Sequence, residues 1–156
     1  MTCHRKLLVT LTILAIGVSS ILTGNAAERV ALLIGNGDYN DKGAFGDLDN
    51  PVQDVILVSE SLKKCGFKVI LVKDASKSDM QMKLREFEEA IETGSTAIFY
   101  YAGHGIQFKG ENYLIGTNAE FQKEYELSEE AIKANLVLDL LAYKKPKTAI
   151  VFLDCC

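Results

Sequence analysis

From position 28 onward the chain alternates short apolar runs with longer segments whose apolar residues recur at helical spacing, and that alternation leaves few folds open. Val30, Ala31, Leu32, Leu33 and Ile34 form a continuously apolar run that stops at Gly35-Asn36-Gly37, as a strand buried on both faces does before a turn. Residues 67–72, 95–101 and 148–153 read as further strands. Residues 38–50 are polar and loop-like, and Pro51 suits the first turn of a helix, where a missing N–H costs nothing. Val52, Val55 and Leu62 give that helix a buried face, and Gly66 stops it. A capping box from Ser78 to Gln81 predicts a second helix, with Met80, Leu84, Phe87 and Ile91 on one stripe and Gly94 closing it. A third helix is expected over about 128–143, with Glu129 and Glu130 favouring its dipole and Pro146 beyond its end. Residues 106–115 alternate around 109–112 and predict a hairpin. The order β-α-β-α-β-hairpin-α-β implies an α/β three-layer sandwich: a mainly parallel sheet, right-handed crossovers and helices on both faces.

The N-terminal end is of another kind. Arg5 and Lys6 precede a nearly unbroken apolar run over residues 7–22, and Gly24-Asn25-Ala26 places small residues where a signal peptidase reads. Residues 1–26 are therefore expected to be a cleaved signal peptide, residues 27–156 one domain, and the location secreted or periplasmic. Thr10, Thr12, Ser19 and Ser20 interrupt the run, which is short of the ~20 clean apolar residues of a membrane span. A membrane partner is expected only if this segment is retained. Its loss removes Cys3 and His4 and leaves His104 as the one histidine, with Cys65, Cys155 and Cys156 as the thiols.

Composition narrows the function classes. The net charge is -4 and no run of Lys and Arg occurs, so no nucleic-acid partner is expected. Four cysteines are too few for a disulfide-rich scaffold. Gly35 and Gly37 follow the first strand, but position 40 is Asn, so the dinucleotide fingerprint lacks its third glycine. A zinc site from His104, Cys155 and Cys156 fits no familiar ligand spacing, and neither a metal nor another cofactor is expected. Cys65 reads as structural.

Chemistry in such sheets gathers at the carboxyl ends of strands. The third strand runs into Ala102-Gly103-His104-Gly105 and the fourth into Asp154-Cys155-Cys156. If those strands are neighbours, the histidine meets a cysteine pair at one rim, and a thiol beside an imidazole ionises to a nucleophilic thiolate. Gly105 lets backbone N–H groups approach a developing oxyanion. The plain alternative is a glycine turn around a hydrogen-bonded histidine, with Cys155 packing as a small hydrophobe.

The motifs resemble a caspase-like cysteine peptidase domain, of the kind shared by caspases, metacaspases and bacterial relatives. They are residues 29–36, Leu48-Asp49-Asn50-Pro51 with Asp54, Gly66-Phe67-Lys68-Val69, Tyr100-Tyr101-Ala102-Gly103-His104-Gly105 and Asp154-Cys155-Cys156. The interval from His104 to Cys156 also matches the roughly 50 residues between caspase histidine and cysteine. The resemblance implies a cysteine-type endopeptidase acting on protein or peptide substrates, with His104 as general base and Cys156 as nucleophile. It implies that Asp54 and Asp154 line the first specificity pocket and favour Arg or Lys before the cut bond, where animal caspases carry glutamine at the position of Asp154 and read Asp. For Asp54 a simple helix N-terminal charge remains the alternative. The resemblance further implies strands beyond the nucleophile that complete the sheet and cleft, so activity of these 156 residues alone is not expected. On that count the second reading is a catalytically silent caspase-like module used for binding or scaffolding. Oligomeric state is not legible in the sequence.

Overall fold

The structure, a computed structural model, describes residues 28–39, 45–121 and 123–155. The expected signal segment, residues 1–26, and Cys156 lie outside the described residues. In chain order the elements are Arg29–Gly35 (β1), Pro51–Lys64 (α1), Lys68–Lys73 (β2), Lys77–Ala90 (α2), Thr96–Ala102 (β3), Gly105–Phe108 (β4), Glu111–Ile115 (β5), Leu127–Glu130 (α3), Ala131–Lys133 (β6), Ala134–Lys144 (α4) and Thr148–Asp154 (β7). The four predicted strands form one sheet in the order β2-β1-β3-β7, and every neighbouring pair is parallel. The expected hairpin, β4 and β5, joins β6 in a separate antiparallel sheet.

Helices cover both faces of the parallel sheet. On one face Ala31, Leu33, Ile98 and Ala102 pack with Val55 of α1 and the half-buried Val58 and Leu62. On the other, Val30, Leu32, Ile34 and Phe99 pack on Met80, Leu84 and Phe87 of α2 and on Val137 and Leu141 of α4. A strand buried on both sides has no room for polar alternation, which is why β1 reads as an unbroken apolar run. β2 and β7 are the outer strands, and Ile150, Phe152 and Leu153 on β7 are exposed.

Three local expectations are corrected. The capping box of α2 sits two residues earlier than Ser78–Gln81. The Ser76 side chain accepts from the Asp79 N–H at 3.1 Å, and the Asp79 carboxylate accepts from the Ser76 N–H at 3.2 Å. Aspartate at the third helical position closes the same ring as glutamate or glutamine, so Ser78 already lies inside the first turn. The helix also ends at Ala90, before Gly94, because Ile91 turns extended and buries its side chain. The single helix expected over 128–143 is divided by β6. Ala131 and Ile132 leave helical geometry to pair with Ile115 and Leu114, and both are buried there. The free edge of β5 supplies ladder hydrogen bonds that local helix propensity cannot match. The turn between β4 and β5 is tight, with positive φ at Lys109 (50°) and Gly110 (80°), the combination that matches strand twist in a two-residue hairpin.

One buried amide ties the two sheets together. Asn36, fully buried after β1, donates its main-chain N–H to Ala102 O at 2.9 Å. Its side chain accepts from the Ala75 N–H at 2.9 Å and donates to Ala75 O at 3.2 Å and Ile115 O at 3.0 Å. The ends of β1 and β3, the approach to α2 and the hairpin thus share one residue. Asn36→Ala leaves an N–H and two carbonyls without this partner, and a loss of roughly 2–4 kcal/mol is expected. Urea denaturation checks it: the midpoint should fall at unchanged m-value, and a loss below about 0.5 kcal/mol would contradict the role.

Candidate active site

The site forms where β3 and β7 end side by side. Their register pairs Ala102 with Asp154, and the Gly103 N–H continues the ladder to Asp154 O at 3.2 Å. His104 and Cys155 therefore leave neighbouring strands at the same edge, and both line one open cleft of about 510 Å³. Asp49, Asp54 and Asp154 line it too, and among its described lining residues there is no lysine or arginine. Asp54 belongs to the first turn of α1, so it faces the cleft and also sits where a carboxylate favours the helix dipole. Gly105 opens β4 immediately after His104. No cluster of three metal-ligating side chains occurs among the described residues.

His104 is held at nearly every polar atom. Its Nε2 lies 2.8 Å from Gly46 O. A carbonyl can only accept, so Nε2 carries a proton, and in the neutral ring Nδ1 is the basic nitrogen. Tyr39 stands edge-on to the imidazole with centroids 4.6 Å apart, and Phe45 lies against it at 5.0 Å. The His104 N–H donates to Tyr39 Oη at 2.8 Å. The Tyr101 hydroxyl lies 2.7 Å from His104 O and 2.8 Å from Ile115 O, and it accepts from the Ile115 N–H at 3.1 Å. Burial is the main reason both phenols titrate above the ordinary tyrosine value, so both remain protonated at neutral pH.

Gly103 explains why this clamp can form. Its φ of 154° is a glycine conformation, and a Cβ there would meet the hydroxyls of Tyr39 and Tyr101 at 2.8 Å each. Gly105 is required by space: a Cβ on it would lie 2.8 Å from Cys155 Sγ. Cys155 thus packs its sulfur against the backbone of the histidine loop and borders the large core cluster. Cys156, the expected nucleophile, lies just past the last described residue.

Of the residues that the sequence singled out, His104, Asp54 and Asp154 line one cleft, and Gly105 follows His104 into β4. Sequence reading missed Gly46, Tyr39, Phe45 and Tyr101. Two aromatics within the mostly polar loop over 38–50 were the available signal for Tyr39 and Phe45. Gly46 acts through its main-chain carbonyl, which no side-chain motif encodes.

With this geometry the comparison with known proteins is direct. The Caspase domain family profile matches residues 28–156. The chain belongs to the caspase domain family. It is 30% identical over 131 residues to Mucosa-associated lymphoid tissue lymphoma translocation protein 1 of Homo sapiens, covering 84% of this chain and 15% of that protein. The Mus musculus homolog gives the same identity and coverage. The chain therefore spans about 15% of the length of these curated relatives. Among solved structures, protein GSU0716 from Geobacter sulfurreducens superposes with a TM-score of 0.63 at 17% identity, over 83% of this chain and 50% of that one. That likeness shares the fold. The caspase domain family is one of cysteine-type peptidases.

The contact between Gly105 and Cys155 gives a direct check on this caspase domain. Gly105→Ala is expected to destabilise by about 1–3 kcal/mol through overpacking. Cys155→Ala in the same chain should recover a good part of the loss. A double-mutant cycle that finds the two changes additive would show that the sulfur is not what Gly105 accommodates.

Proposed function

We propose that the chain carries the catalytic dyad of a cysteine endopeptidase that cuts after arginine or lysine. The supporting observation is the in-register end of β3 and β7, which sets His104 and the residue before Cys156 on one cleft rim. In this reading Nδ1 of His104 takes the proton from the Cys156 thiol, and the sulfur adds to the substrate carbonyl. The N–H groups of Gly105 and Cys156 receive the oxyanion. The C–N bond then breaks, His104 returns the proton to the leaving amine, and water hydrolyses the thioester. Gly46 O takes the place of an orienting acid by holding Nε2. Asp54 and Asp154 attract the cationic side chain before the cut bond, a role supported by the absence of lysine and arginine from the described cleft lining.

Fluorogenic peptides test this in the full-length protein. Arg- and Lys-ended substrates should be cleaved, Cys156→Ala and His104→Ala should each lower kcat/KM by at least about a thousandfold, and Cys155→Ala should retain activity. On the chain itself, iodoacetamide should alkylate Cys156 at least about tenfold faster at pH 7 than a model thiol, located by peptide mapping. If Cys156 reacts no faster than the model thiol, the silent binding or scaffold module is the better account.

We also propose export with cleavage after Ala26, on the layout of residues 1–26. N-terminal sequencing of the protein secreted by an expressing cell should begin at Ala27; a chain that keeps Met1 would refute the proposal.

A further inference from the structure

We infer that Tyr100 is a positioning residue for substrate choice: by holding one carboxylate oxygen of Asp154, it tunes the acidic cleft to the planar guanidinium of arginine over the ammonium of lysine. The inference rests on the substrate reading above and deepens it. Tyr100 stands on β3 two residues before Ala102, on the same face of the sheet, and packs with the α1-side core cluster. Its hydroxyl donates to Asp154 Oδ2 at 3.1 Å. The ring is itself fixed. It pairs across the strands with Phe152, with centroids 6.3 Å apart and planes tilted by 54°.

Asp154 is otherwise an exposed side chain at a strand end, and an aspartate there is free to change rotamer. A hydrogen bond from a packed ring fixes the plane of the carboxylate while leaving Oδ1 and one lone pair of Oδ2 for a ligand. The two basic side chains use that plane differently. A guanidinium donates two parallel N–H bonds and gains from an acceptor pair held in one plane. An ammonium is a compact point charge that asks only for a negative field. Fixing the carboxylate therefore favours arginine more than lysine. The phenol keeps its proton across the neutral range. Burial, the hydrogen bond to Asp154 and the charges of Asp154 and Asp54 push its pKa up to about 12.

The test compares Nα-acetyl-arginine amide with Nα-acetyl-lysine amide, titrated into the chain by NMR. Wild-type protein should bind the arginine compound about tenfold more tightly. Tyr100→Phe keeps the ring on Phe152 and removes only the hydroxyl. It should weaken arginine binding about three- to tenfold and lysine binding by less than about twofold. In an Asp154→Asn background Tyr100→Phe should leave the ratio as it stands, because the hydroxyl acts through that carboxylate. With peptide substrates and the full-length protein, the loss on arginine should fall on KM and spare kcat. A selectivity ratio that survives Tyr100→Phe, or an equal loss for both ligands, would overturn the inference and leave the acidic-cleft reading standing. Wild-type protein that binds neither compound would overturn both.

Discussion

The parallel pairing of β3 with β7, in one register, is the constraint on which the site depends. Parallel strands present their carboxyl ends at the same edge of a sheet, and their loops emerge together. Here Ala102 faces Asp154, and the Gly103 N–H extends the ladder one bond further. A slip of one residue would send the Asp154 side chain to the opposite face, away from Tyr100 and from α1, whose first turn carries Asp54. The core holds β3, packed by α1 on one face and by α2 and α4 on the other, and takes Val151 from β7.

On that frame the histidine loop is stiffened from several directions at once. The peptide of His104 is bracketed by two buried phenols, its ring by Tyr39 and Phe45, and its Nε2 by a carbonyl of the long loop after β1. Tyr39, Phe45 and Gly46 come from the loop after β1 and Tyr101 from β3, so the loop geometry is a property of the folded domain. Among the described residues the partner of Nε2 is that carbonyl and not a carboxylate. A main-chain carbonyl fixes the ring at Nε2 without placing a negative charge at that atom. The acids of the cleft are left for whatever binds there.

The parallel sheet was legible because its central strands β1 and β3 are buried on both faces and announce themselves as apolar runs, as Val30 to Ile34 do. The stripe Met80, Leu84, Phe87 and Ile91 was equally clear, and all four are buried. The boundaries were less so. Ser76 with Asp79 and Ser78 with Gln81 are both plausible capping pairs two residues apart, and only the approach of the chain from Asp74 selects the first. β6 was not legible at all. Ala131, Ile132 and Lys133 suit a helix, and their strand exists because β5 offers an unpaired edge beside them.

By itself the sequence determined which residues must be inside, how many crossovers the sheet has, and which strand ends carry the candidate residues, since burial and period are written in the order of side chains. It also carried the motifs around His104 and Asp154. Only the tertiary structure decided that β3 and β7 are neighbours, that Gly46 lends its carbonyl to the imidazole, and that Tyr100 reaches Asp154. Strand order, main-chain acceptors and cross-strand hydroxyl contacts join residues far apart along the chain. No local pattern encodes them, because the energy that selects them arises only when the layers close around a common core.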